Sequence, residues 1–188
     1  MNHLGHLFLS NNDLDLMICN LHGEYIKGKT FDHYHASIQK GIVLHRAIDF
    51  YTDSHPVNIK LKKYFYSELP KVSGLAIDLF YDHILAKKWD SYHHLTLNLF
   101  LDQFFNYTSP LEKDMHPLFR VFMKNFREHQ WIKHYSSDWG LHKMCEGVSK
   151  KLSFQNALSH ASVFYSRNTN RIDEAFEHFI SDAKLEFG

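Results

Sequence analysis

His45 and Asp49 stand one helical turn apart on the stripe Ile38, Ile42, His45 and Asp49. Positions i, i+4, i+7 and i+11 share one side of a helix, so this stripe turns an imidazole and a carboxylate toward the core. Burying the two without compensation costs on the order of several kcal/mol. A salt link between them meets that cost in one way, and a metal ion or the anionic group of a substrate in another. Further donors lie on other segments: Glu24, the neighbours Asp82 and His83, and His6 near the N-terminus. Adjacent helical residues point about 100° apart, so Asp82 and His83 could bracket an ion between their directions. Imidazole and carboxylate donors without a thiolate suit Mn²⁺, Mg²⁺, Fe²⁺ or Zn²⁺. Such an ion polarises a phosphoryl oxygen and acidifies bound water while a nearby carboxylate or histidine, with Asp49 and His6 the catalytic candidates, takes the proton, which points to hydrolysis of a phosphate ester. Arg46 carries the planar fork that matches phosphate oxygens, although it turns to a different helix face from His45 and could equally be solvated. Asp78, one turn before Asp82, reads as a supporting partner rather than a ligand. Asp53 reads equally as a helix-capping carboxylate and as a chemical one.

The elements that must position these residues are helical. Asp13 caps a first helix to about Lys27, with the stripe Leu14, Met17, Ile18, Leu21 and Tyr25, stopped by Gly28. A second runs from Asp32 or Ser37 to Tyr51, and Asp53-Ser-His-Pro56 breaks it before a third from Val57 to Glu68. Leu75 to Trp89 is apolar nearly all round and therefore central, yet it contains Asp78, Asp82 and His83. Leu95 to Leu101 alternates like a strand but flows into Asp102–Tyr107, and helix is the better reading. Helices from Leu118 to His134, from Ser137 to Leu152, and from Phe154 to near Leu185 with a kink around Arg167 to Asn170, complete the chain. The expectation is an all-α fold, one domain over residues 1–188, of roughly seven helices.

With 188 residues the chain is long enough to bury a core without staples. Lys+Arg and Asp+Glu are both 21, so no global basic field recruits nucleic acid. Cys19 and Cys145 lack metal or redox spacing and read as reduced thiols, and the N-terminal segment lacks the features of a signal peptide, so a cytoplasmic protein is expected. No run reaches the roughly 18–20 apolar residues of a membrane span. Of the 16 histidines, those in polar surroundings, such as His93, His94, His129 and His134, read as surface residues.

Four segments carry a resemblance: Asn2-His-Leu-Gly-His-Leu-Phe-Leu-Ser10, Asn20-Leu-His-Gly-Glu-Tyr-Ile-Lys-Gly28, Gly41-Ile-Val-Leu-His-Arg-Ala-Ile-Asp-Phe-Tyr-Thr-Asp-Ser-His-Pro56 and Asp78-Leu-Phe-Tyr-Asp-His-Ile-Leu-Ala-Lys-Lys-Trp89. In this order they resemble the acyl carrier protein phosphodiesterase family, whose members look like distant, distorted relatives of the HD-domain metal phosphohydrolases. The resemblance implies metal-dependent removal of 4′-phosphopantetheine from holo-acyl carrier protein, with manganese the favoured ion. It places His45, Asp82 and His83 at metal-site positions, with Asp49 close by. Glu24 stands where the family carries Asp, keeping the carboxylate but lengthening it by one methylene, and His22 stands where an apolar residue is usual. The implied protein partner is acidic, and Lys27, Lys29, Lys62 and Lys63 would contribute to a basic rim. Another phosphoester such as a nucleotide, or carrier binding without catalysis, are alternative readings; oligomeric state is left open.

Overall fold

Asp13 opens the second helix as its sequence predicts, its carboxylate accepting a hydrogen bond from the Leu16 amide at 3.0 Å. The computed structural model describes residues 1–188 and contains nine α-helices, four 3₁₀ turns and no strand. In chain order they are α1 (His3–Phe8), α2 (Leu14–Gly23), α3 (Ala36–Ser54), α4 (Pro56–Phe65), α5 (Ser73–Lys87), α6 (Leu97–Asn106), α7 (Pro117–His129), α8 (Asp138–Lys151) and α9 (Ala161–Phe187).

The all-α expectation holds: every expected helical segment appears as one of α2–α9, and α1 is additional. The six residues of α1 are too few for a periodic stripe to be recognised. The segment from Leu118 to His134 also divides. Gln130 adopts a left-handed conformation (φ 44°) and ends α7, and Trp131–His134 follows as a 3₁₀ turn. The ambiguous Leu95 segment is α6, started by Thr96. In α9 the anticipated kink falls at Asn168 (φ −125°), whose side-chain amide donates to the Phe164 carbonyl.

As its composition requires, α5 is buried on nearly all sides and packs against α1, α4, α8 and α9. The helices enclose one contiguous apolar core. Helices α2 and α3 form a tightly packed pair. A Cβ on Gly41 would overlap the Cβ and backbone of Cys19, and one on Gly23 would overlap Cβ and Cγ of His45. The two glycines thus let the helices approach closely where α3 presents His45 to α2. No helix is long and apolar enough to cross a membrane.

Candidate metal centre

Three helices bring one cluster together: α1 contributes His6, α2 contributes Asn20, and α3 contributes His45 and Asp49. Asn20 is fully buried and sets the orientation of both imidazoles. Its amide nitrogen donates to the His6 carbonyl at 3.1 Å and to Ser10 Oγ at 3.0 Å. A carbonyl can only accept, so this fixes the amide and turns Asn20 Oδ1 toward the rings. Nδ1 of His6 lies 2.9 Å from that oxygen and Nδ1 of His45 lies 3.3 Å from it. Both Nδ1 atoms must therefore carry the proton, which leaves both Nε2 atoms as lone pairs when the rings are neutral.

Those lone pairs face carboxylate. His6 Nε2 is 3.2 Å from Asp49 Oδ1, and His45 Nε2 is 3.2 Å from Asp49 Oδ2. Glu24 Oε2 is 3.5 Å from His45 Nε2. The two rings stack at 4.3 Å between centroids, and the donor atoms of His6, His45 and Asp49 lie within 4.8 Å of one another. Lone pairs aimed at carboxylate oxygens repel unless a proton or a cation stands between them. Burial lowers the His6 pKa, against the opposing pull of Asp49, and so disfavours the proton. Burial also raises the Asp49 carboxyl, but positive charge at the His6 and His45 rings and at the N-terminal ammonium outweighs it and holds Asp49 below its ordinary value. Positive charge at the His45 Nε2 contact lowers Glu24 in the same way. Both carboxylates thus favour a positive charge at the imidazole Nε2 atoms, and because burial resists a proton on His6, the donor set fits a divalent cation in its place.

The cluster opens into a cleft of about 470 Å³, which Asp53, Asp78, His3 and Lys151 also line. Glu24 is largely exposed at its mouth, where ligand exchange can occur.

Several of the sequence-derived residues lie elsewhere. Asp82 and His83, expected as metal ligands, sit in the packed interior of α5 and line no part of the cleft. Asp82 Oδ1 accepts from the amides of Asn2 (3.1 Å) and Gly5 (3.0 Å), and Oδ2 from that of Leu4 (2.7 Å). The carboxylate thus caps the N-terminus of α1 and holds in place the helix that carries His6. Burial pushes its carboxyl up to about 7, against the pull of the N-terminal ammonium and of these donors. His83 donates from Nδ1 to the Tyr135 carbonyl at 2.7 Å and meets the edge of Tyr165, while its buried Nε2 has no partner.

Arg46, considered for phosphate, is committed to structure. Its guanidinium donates to the carbonyls of Ile26 (3.1 Å) and Gly28 (2.7 Å) and lies over the Phe31 ring, clamping the α2–α3 loop. Asp78 lines the cleft and pairs with the Met1 ammonium at 2.9 Å. Asp53 pairs with Lys62 at the rim of the cleft and does not cap α4, whose N-cap is His55 and makes no side-chain bond. Lys27 folds back onto the Glu24 carbonyl at 3.0 Å, leaving Lys29 and Lys63 as exposed cations of the expected rim.

Three residues escaped the sequence reading. Asn20 was legible as a polar residue on an apolar stripe. His3 lies in the Asn2–Ser10 segment, where no periodic stripe offers a helical frame to aim it. Lys151, contributed to the cleft by the distant α8, left no local signal.

The acyl carrier protein phosphodiesterase family profile matches residues 1–183. The chain belongs to this family. Among relatives, the acyl carrier protein phosphodiesterase of Serratia proteamaculans is 24% identical over 180 residues, covering 95% of this chain and 93% of its own. Those of Salmonella paratyphi A and Salmonella agona are each 23% identical with the same coverage. No solved structure matches the chain. Family membership therefore spans nearly the whole fold, including all three helices that build the centre.

Proposed function

We propose that the protein hydrolyses the phosphodiester that joins 4′-phosphopantetheine to the serine of holo-acyl carrier protein, with a divalent ion, manganese by preference, at the centre described above. The observation that carries this reading is the pair of imidazole Nε2 atoms, each 3.2 Å from an oxygen of Asp49, with both Nδ1 protons held by Asn20. His6, His45 and Asp49 would hold the ion. When bound, it would polarise a phosphoryl oxygen and lower the pKa of a coordinated water.

The remaining steps belong to side chains. Glu24, ionised and at the mouth, accepts the proton of the attacking water. Its extra methylene relative to the family's Asp does not take it out of range, since its carboxylate still reaches 3.5 Å from His45 Nε2. Lys151 lines the cleft with no carboxylate paired to it and balances the phosphate charge. Exposed Lys29 and Lys63 favour encounter with an acidic carrier, an attraction that weakens with salt. A cytoplasmic setting belongs to the same proposal, supported by two buried free thiols. So does a distant HD-like ancestry, supported by an all-helical frame that gathers imidazole and carboxylate donors.

The test is direct. Purified protein with Mn²⁺ converts holo-carrier to the apo form, read by intact mass, and EDTA stops the conversion. His45→Ala loses both the conversion and the bound metal while keeping its helical circular dichroism. A carrier of unchanged mass after prolonged incubation with the metal-loaded wild type sinks the proposal.

A further inference from the structure

A second cavity, of about 330 Å³, opens beside the metal cleft between α8 and the Trp131–His134 turn. Its walls are chiefly apolar and aromatic, with Trp131, Tyr135, Trp139 and Met144 among them. The volume falls at the lower end of the roughly 300–1,000 Å³ typical of small-molecule sites. Asn2, His3, Val148 and Lys151 line both spaces, so the cavity adjoins the cleft.

One side of α8 forms a wall through both. Gly140, Lys143, Met144, Gly147, Val148 and Lys151 follow the i, i+3, i+4, i+7, i+8, i+11 spacing of a single helix face. Eleven residues at a rise of about 1.5 Å give a track about 16 Å long, with Met144 and the aromatic rings at one end, where Lys143 is paired with Glu146, and Lys151 at the metal end. A Cβ at Gly147 would meet no atom within 4 Å, so the middle of the track is open. At the junction, His3 lies against Phe122 with its Nδ1 3.3 Å from Tyr135 Oη, placing polar groups midway along an otherwise apolar path.

We propose that this cavity is the subsite for the pantetheine arm of the substrate, the α8 track guiding the arm from its phosphate at the metal cleft toward the Trp131 and Trp139 rings. This assignment builds on the phosphodiesterase reading above. The arm's chemistry matches the track in order: a phosphate at the Lys151 end, a gem-dimethyl group and amides past His3, and a thiol-bearing aliphatic tail among the aromatics. Trp139 remains largely exposed, which suits an arm delivered from outside while still attached to a protein.

The probe is pantetheine itself, which lacks the phosphate and so needs no metal. Titrated into the metal-free protein, it is expected to change the emission of Trp131 and Trp139 saturably. Gly147→Phe fills the open middle of the track and is expected to weaken that binding at least tenfold and to raise KM for holo-carrier at least tenfold. Circular dichroism and an Mn²⁺ titration of the variant show that its fold and metal centre survive. Absence of saturable pantetheine binding to the wild type overturns the assignment, as does a folded Gly147→Phe variant with unchanged pantetheine affinity and KM. Binding of an acylated pantetheine alone, lost in Gly147→Phe, also overturns it, in favour of an acyl-chain pocket. If wild type leaves holo-carrier intact, the phosphodiesterase reading fails by itself, and the pantetheine titration still decides the cavity.

Discussion

Asn20 Oδ1 lies 2.9 Å from Nδ1 of His6, and the asparagine amide is fixed in that orientation by its bond to the His6 carbonyl. The bond selects the tautomer that frees Nε2 for a cation. Groups that orient a ligating histidine typically change metal affinity 10–100-fold when removed. Asn20→Ala is therefore expected to weaken Mn²⁺ binding by about that factor while the protein stays folded, measured by calorimetric titration. An affinity unchanged from wild type would show that the asparagine only fills space.

Gly23 underlies His45 so closely that no Cβ fits between them. The obstacle is the first carbon of the histidine side chain, which cannot rotate away. Gly23→Ala must therefore displace α3 from α2 at the point where His45, Asn20 and Asp49 meet. Useful sites tolerate about 0.5 Å of displacement. We expect Gly23→Ala to lower both Mn²⁺ affinity and kcat/KM at least tenfold, and to lower Tm as well. Wild-type metal affinity in this variant would mean that the close approach is incidental to the centre.

How much of this was legible beforehand follows from which interactions are local. His45 and Asp49 declared themselves because a four-residue spacing on an apolar stripe is a property of one helix. The same logic found the buried character of α5 and the kink of α9. It misassigned Asp82 and His83, because periodicity says that a side chain is buried without saying what it meets. Asp82 meets the amides of α1, a six-residue helix with no stripe to announce it, and His83 meets a carbonyl 52 positions away. Lys151 reaches the cleft only through the packing of α8, which no spacing near His45 encodes. Arg46 had the right chemistry but faces the α2–α3 loop, whose path depends on a left-handed Gly28 (φ +77°).

Asp82 gives the third prediction. The Asp82 carboxylate satisfies three amides at the N-terminus of α1 in a fully buried position, so truncation leaves those donors without partners. Asp82→Ala is expected to cost on the order of 3 kcal/mol, read as a lower urea midpoint. Because α1 carries His6, Mn²⁺ affinity should fall in the same variant. Asp82→Asn keeps an acceptor oxygen and the shape, and is expected to recover part of both losses. A stability change below about 0.5 kcal/mol for Asp82→Ala would rule out the capping role.

His22 couples the fold to pH. Its ring is fully buried between Tyr34 and Phe119, its Nε2 accepts from the His116 amide at 3.0 Å, and its Nδ1 has no partner. Burial, helped by the charge of His116, lowers its pKa from 6.5 to about 4. The folded pKa thus lies below the unfolded one, so between these values the unfolded chain binds the extra proton. The contribution of the neutral ring is complete above pH 6.5 and is lost as pH falls toward 4. His22→Leu removes this proton uptake at the expense of the bond to His116. The variant is expected to show a shallower fall of Tm between pH 6.5 and 4.5 than wild type, even where its Tm at pH 8 is lower. Parallel Tm–pH curves for the two proteins would show that acid acts elsewhere, with the buried His22 ring protonating no less readily in the folded chain than in the unfolded one.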